Sequence, residues 1–211
     1  MTVRRGLYAI VDSTVLGARD AVEFARRVLD AGELWALQLR AKDWPAWRML
    51  ETSTVLAHEC RARGVPFYVN DRVDVARLAG AAGVHLGQTD LALSCARGIA
   101  PELLVGLSTH TRDELARALA ERPDYVAFGP VFATASKSTP DPEVGPSGLR
   151  AAVAQANGTP VVAIGGISLE RAGAVLDTGV VAAAVIGALA AVSDAELTAI
   201  ARSLHRALGG R

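Results

Sequence analysis

Eight short apolar runs, each stopping at a polar or glycine-rich tip and each followed by a stretch with helical spacing, constrain this chain more than any other feature. The first run is Leu7-Tyr8-Ala9-Ile10-Val11, and residues 21–29 behind it carry apolar side chains at helical spacing with charges between them. A continuous apolar run of that length suits a parallel strand buried on both faces. The alternation predicts further strands over 35–39, 66–69, 84–86, 103–107, 125–128, 160–164 and 181–186. Helices are predicted over 45–63, 73–79, 91–97, 112–121, 147–156, 169–177 and 194–208. Eight βα units joined by right-handed crossovers predict an α/β fold, a single-domain (β/α)8 TIM barrel over residues 1–211. A doubly wound open sheet is the alternative. It fits less well, because no GxGxxG opens the first crossover and phosphate-type loops recur at many strand ends.

Charge narrows the partners. With 22 basic residues against 22 acidic ones there is no overall positive field for nucleic acid or an anionic membrane, so anion binding must be local. Cys60 and Cys95 are the only cysteines and both fall in helical stretches, which gives no disulfide framework and suggests a reducing compartment. The apolar run after residue 6 meets Asp12 too soon for a signal peptide or a spanning helix. The expectation is a soluble cytoplasmic protein acting on small molecules. Oligomeric state is left open.

In such a barrel all strand C-termini point to one rim, so tips far apart in sequence converge. Gly165-Gly166 and Ile186-Gly187 follow the last two strands, where barrels bind phosphate through backbone N–H groups; ordinary turn chemistry is the alternative. Asp71 and Asp90 end adjacent staves, and two carboxylates side by side repel unless a cation sits between them. Mg2+ needs only one or two carboxylates, since it keeps water and bridges to substrate phosphate. Taken singly, each aspartate reads equally as a helix cap. Arg40 and Lys42 share a face beyond the second strand and suit a diphosphate, with a solvated surface pair as the alternative. Gln38 on the same face needs a ligand edge or a buried partner.

Between 129 and 147 the chain is too polar for a core element and long enough to cover a pocket, so it reads as a mobile active-site loop. Lys137 lies in it beside Thr134, Ala135 and Ser136, a cation with hydroxyls able to close over phosphate. Asn70 and Ser108 are further neutral groups at strand ends. His85, inside a strand run, reads as a hydrogen-bonded core residue; His110 lies just past a strand, and His58 and His205 read as helix-surface residues. No HxxxH, CxxC or Gly-x-Ser-x-Gly pattern supports zinc hydrolysis or serine esterase chemistry.

Several ordered motifs now stand at strand ends: QLRAK at 38–42, NDRVDVA at 70–76, GVHLGQTD at 83–90, GLSTH at 106–110, FGPVFAT at 128–134 and AIGGI at 163–167. In these the chain resembles the thiamine-phosphate synthase (thiamine-phosphate pyrophosphorylase) family over nearly its whole length. The resemblance implies a transferase of thiamine biosynthesis joining hydroxymethylpyrimidine diphosphate to a carboxylated thiazole phosphate, with release of diphosphate and CO2. It implies that Gln38, Leu39, Arg40, Ala41, Lys42, Asn70, Ser108 and Lys137 hold the pyrimidine diphosphate, with Arg40, Lys42 and Lys137 stabilising the leaving group. It further implies that Asp71 and Asp90 bind Mg2+, and that Thr134, Ala135, Ser136, Gly166, Ile186 and Gly187 bind the thiazole phosphate. The chain departs from the family pattern in Ala133 for proline, Ser136 for threonine and Gly187 for serine. Two alternatives stand beside this reading. One is a related thiazole tautomerase using a histidine near 110; the other is a catalytically silent phosphate-binding barrel.

Overall fold

In the computed structural model the described residues are 4–134 and 142–211. Eight parallel strands close into a barrel in chain order: β1 (Gly6–Asp12), β2 (Ala36–Arg40), β3 (Phe67–Asn70), β4 (Gly83–Leu86), β5 (Leu104–Thr109), β6 (Tyr125–Phe128), β7 (Val161–Ile164) and β8 (Ala182–Val185). β8 pairs with β1 through Gly6↔Ala182 to Ala9↔Val185, so the sheet has no free edge. The open-sheet alternative is thereby excluded.

The helices lie between strands: α1 (Ser13–Leu16), α2 (Ala21–Leu29), α3 (Ala46–Ala62), α4 (Val73–Leu78), α5 (Leu93–Ile99), α6 (Arg112–Ala120), α7 (Gly145–Ala156), α8 (Leu169–Leu176), α9 (Gly187–Ala190) and α10 (Asp194–Ala207). α2 shows how the sequence builds them. Asp20 caps it by accepting from Glu23 N, and Phe24, Ala25, Val28 and Leu29 form one buried stripe. Removing Phe24 to alanine would cost about 3–5 kcal/mol. α1 and α9 escape the sequence reading because four residues are too short to show a period. α7 begins at Gly145, slightly before the predicted start, and so shortens the long loop.

Strand alternation divides the core in two. Leu7, Ala9 and Val11 face the helix layer, whereas Tyr8 and Ile10 point into the lumen with Tyr68, Tyr125, Ala127, Val162 and Ala184. Tyr8, Tyr68 and Tyr125 interlock, with ring centroids 5.4–6.0 Å apart. The staves opposite must be bare: a Cβ on Gly83 would strike the Tyr68 ring, and one on Gly106 the Tyr125 ring. These rings plug the barrel below the rim and give the site a floor.

His205 corrects an expectation. It is buried, not on the helix surface, because α10 turns the face bearing Ala201, Leu204 and His205 onto the N-terminal end of the barrel. Its Nδ1 accepts from Leu7 N at 3.3 Å. His58 is exposed as expected. Among the described residues no helix is long and apolar enough to cross a membrane.

Candidate active site

The rim opens into a cavity of about 460 Å3 lined by Gln38, Arg40, Asn70, Ser108, Thr134, Gly166, Ile186 and Gly187 among others. Eight positions assigned from the sequence therefore meet at one place. Leu39 and Ala41 are buried, with their side chains in the helix-facing core. Lys42, Asp71 and Asp90 stand together on the rim beside this lining. Ala135, Ser136 and Lys137 lie outside the described residues.

The charged edge is built from the ends of β1 to β4. Arg40 Nη1 lies 2.7 Å from Asp12 Oδ2, and the Asp12 side chain is 1% exposed. The other oxygen of Asp12 accepts from Thr14 N at 3.0 Å and Thr14 Oγ1 at 2.7 Å. Lys42 does not share this partner; its Nζ pairs with Asp71 at 3.1 Å and the side chain is about half exposed, at 51%. The two cations thus face different carboxylates along one edge.

Neither aspartate of the candidate metal pair caps a helix through its side chain. Arg72 and Ala92 occupy the cap positions of α4 and α5, without side-chain cap bonds. Asp71 instead sits at φ 64°, a left-handed conformation uncommon outside glycine. Its N–H continues the strand ladder to His85 O at 2.8 Å, after which the turn aims the carboxylate at Lys42 and Asp90. Asp90 is brought back toward its own strand because its Oδ2 accepts from Gly87 N at 2.7 Å. Burial raises the pKa of Asp71, the hydrogen bond shared with Asp90 raises it further, and Lys42 opposes both. Two carboxylates in hydrogen-bond contact need a proton or a cation between them, so the donor set fits a hard divalent ion that keeps most of its water. Among the described residues no group of three or more His, Cys, Asp or Glu could hold a metal.

The opposite edge is made of glycine. Gly165 (φ 101°) and Gly166 (φ 62°) take conformations that L side chains resist, and a Cβ on Gly166 would collide with Phe132 and Ala133 O. The chain after β6 is held against them by Val131 N to Ile164 O at 2.8 Å and Phe132 N to Gly165 O at 3.1 Å. Those bonds carry Thr134 to the cavity beside Gly166. Across the gap Ile186 and Gly187 start α9, whose first N–H groups have no helical carbonyl to meet.

Between the edges lies a polar floor. Gln38 Nε2 donates to Asn70 Oδ1 at 2.9 Å, and Tyr8 OH donates to Gln38 Oε1 at 2.7 Å. Tyr8 and Tyr125 hydroxyls are 2.8 Å apart, Tyr125 OH is 2.8 Å from His85 Nδ1, and His85 Nε2 is 2.8 Å from Ser108 Oγ. Burial lowers the His85 pKa to about 4, so the ring is neutral at pH 7, and burial raises both tyrosines well above their ordinary range. His85 is the bonded core residue expected, with one nitrogen on a cavity residue. His110, also on the cavity, has Nδ1 2.7 Å from Gly129 O.

Sequence reasoning missed Asp12 and the two tyrosines. Asp12 left a signal, being a carboxylate that closes an otherwise apolar run; the tyrosines read only as core.

Comparison with known proteins points one way. The family description thiamine monophosphate synthase matches residues 7–189. The chain is 45% identical to the thiamine-phosphate synthase of Anaeromyxobacter dehalogenans, covering 92% of this chain and 84% of that one. It is 47% identical to the thiamine-phosphate synthase of Deinococcus radiodurans, over 88% and 68% of the two chains. The solved thiamine phosphate pyrophosphorylase of Pyrococcus furiosus superposes with a TM-score of 0.86 at 36% identity, over 96% and 94%.

Proposed function

The chain belongs to the thiamine monophosphate synthase family and is a transferase with thiamine-phosphate synthase activity, and on that premise we propose how its rim divides the reaction. The charged edge takes hydroxymethylpyrimidine diphosphate and the glycine edge takes the carboxylated thiazole phosphate. One observation carries this reading: cations and paired carboxylates on one side of the cavity face backbone-lined turns on the other, across a polar floor.

Arg40 and Lys42 neutralise the diphosphate, each held in place by a carboxylate of its own. Lys137 is assigned to the same leaving group. Gln38, Asn70 and Ser108 hold the pyrimidine ring. Thr134, Ala135, Ser136, Gly166, Ile186 and Gly187 receive the thiazole phosphate. With glycine at 187, that end relies on backbone N–H groups, not a hydroxyl.

The bond between the pyrimidine methylene and diphosphate oxygen breaks first, and its electron pair leaves with the diphosphate. The electron-rich aminopyrimidine supports the methylene cation, and the thiazole nitrogen lone pair then forms the new C–N bond; loss of CO2 leaves its electron pair on the ring carbon, which takes a proton from water to complete the product. No protein nucleophile is needed, so the chain's task is charge stabilisation and orientation. Asp71 and Asp90 would hold Mg2+, which when bound neutralises diphosphate charge. A tautomerase would have no use for the Lys42, Asp71 and Asp90 cluster. Two free cysteines, Cys60 and Cys95, belong with a reducing cytoplasmic setting.

Purified protein supplied with both substrates and Mg2+ should form thiamine phosphate and diphosphate in equal amounts. Binding of both substrates without product would reject the activity and leave a silent phosphate-binding barrel.

A further inference from the structure

The floor contains a hydrogen-bond chain whose direction can be followed atom by atom. Gln38 Oε1 has no proton, so the single proton of Tyr8 is committed to it. The 2.8 Å contact between Tyr8 and Tyr125 must then be donated by Tyr125. With that proton used, Tyr125 oxygen can only accept from His85 Nδ1–H. A neutral imidazole protonated at Nδ1 is an acceptor at Nε2, so Ser108 must donate to it.

We infer that this chain, Gln38 to Tyr8 to Tyr125 to His85, leaves the Ser108 hydroxyl able only to accept from a bound ligand and so selects an amino group over an oxo group on its heterocycle. At the other end Asn70 Oδ1 accepts from Gln38 Nε2, and the two N–H protons of its amide are left for a ligand. The floor therefore presents an acceptor at Ser108 and a donor at Asn70. An aminopyrimidine matches this order, its amine donating and its ring nitrogen accepting. A 4-oxo ring with a protonated ring nitrogen opposes it at both positions. His85 is a positioning residue, acting through Ser108. The amino selection rests on the substrate reading above; the proton order does not.

The reverse order requires Gln38 to turn its amide, giving Nε2 to Tyr8. Every proton then shifts by one place and His85 carries its proton on Nε2.

Two measurements on the full chain separate these cases. Two-bond 1H–15N spectra of 15N-histidine-labelled protein at pH 7, with His85 assigned from its loss in His85→Phe, should show the Nδ1–H tautomer; an Nε2–H tautomer would overturn the inference. Binding of 4-amino against 4-oxo pyrimidine diphosphate should differ by at least about 10²-fold in the wild type, because the wrong ring leaves buried polar groups unpaired. In His85→Phe, which keeps a ring against Tyr125 but cannot bond Ser108, the ratio should fall within about tenfold. A purely structural role would weaken both ligands alike and leave the ratio unchanged, which would overturn the selection. If that variant does not fold, His85→Leu, which likewise cannot bond Ser108, supplies both the assignment and the affinity ratio. Binding of neither pyrimidine would overturn the substrate reading and the selection, while an Nδ1–H signal would still establish the proton order.

Discussion

Arg40 Nη1 stands 2.7 Å from Asp12 Oδ2, and the carboxylate it meets is closed off from solvent. The pair fixes the guanidinium at the end of β2, so a cation assigned to the diphosphate does not have to be ordered on binding. Each partner also needs the other. Arg40→Ala should destabilise the protein by about 1–3 kcal/mol, because Asp12 loses a charge-assisted partner while remaining buried. The double variant with Asp12→Ala should be no less stable than Arg40→Ala alone. Urea unfolding of the four members of the cycle measures this. Simple additivity would mean that the pair is not coupled.

Asp90→Asn separates function from stability. Asparagine can still accept from Gly87 N, yet the like charge beside Asp71 is gone. Without metal this variant should be at least as stable as the wild type, by up to about 1 kcal/mol, while Mg2+-dependent turnover falls about 10²-fold or more. Thermal melts with and without Mg2+ check the first part and steady-state kinetics the second. A large loss of metal-free stability would make Asp90 structural.

His85 sets a stability window in acid. Its folded pKa of about 4 lies below the ordinary histidine value of 6.5, so the unfolded chain binds the extra proton first. Its contribution is fully present above about pH 6.5, is lost progressively as pH falls towards 4, and amounts to about 3 kcal/mol. The difference in unfolding free energy between wild type and His85→Phe, followed from pH 7 to 4, should shrink accordingly. A pH-independent difference would show that the folded ring titrates normally.

Gly106→Ala should cost about 1–3 kcal/mol by overpacking against the Tyr125 ring. Tyr125→Leu in the same chain should recover part of that loss, though it breaks the bonds to Tyr8 and His85. Chemical denaturation of the single and double variants tests the pairing. An alanine at 106 tolerated without loss would contradict the packing of the floor.

How much of this was legible beforehand depended on the kind of signal. The barrel followed from eight apolar runs because strands buried on both faces have nothing polar to interrupt them. Asp71, Asp90, Arg40 and Lys42 were visible as charges at strand ends, since the fold sends every such end to one rim. Their pairings were not. That Lys42 would turn to Asp71 while Arg40 turned to Asp12 depends on tertiary placement, and Asp12 looked only like the end of a run. The tyrosine chain was hidden for another reason: Tyr8 and Tyr125 satisfy a hydrophobic pattern, and only the register that sets them across the lumen shows their hydroxyls meeting. His205 was misread because a helix closing the barrel's end buries a residue that a lone polar side chain would otherwise place outside.

The central claim, two substrates joined across a rim with a metal-dependent charged edge, is tested most directly by a single-turnover coupling measurement. Enzyme in excess over the pyrimidine diphosphate, with thiazole phosphate present, is treated with chelator and then given Mg2+ while thiamine phosphate and diphosphate are followed together. No product should form before Mg2+, equal amounts of both products should form after it, and Asp90→Asn should lose the burst. Product forming at the same rate under chelator, or an unchanged burst in Asp90→Asn, would contradict the central claim.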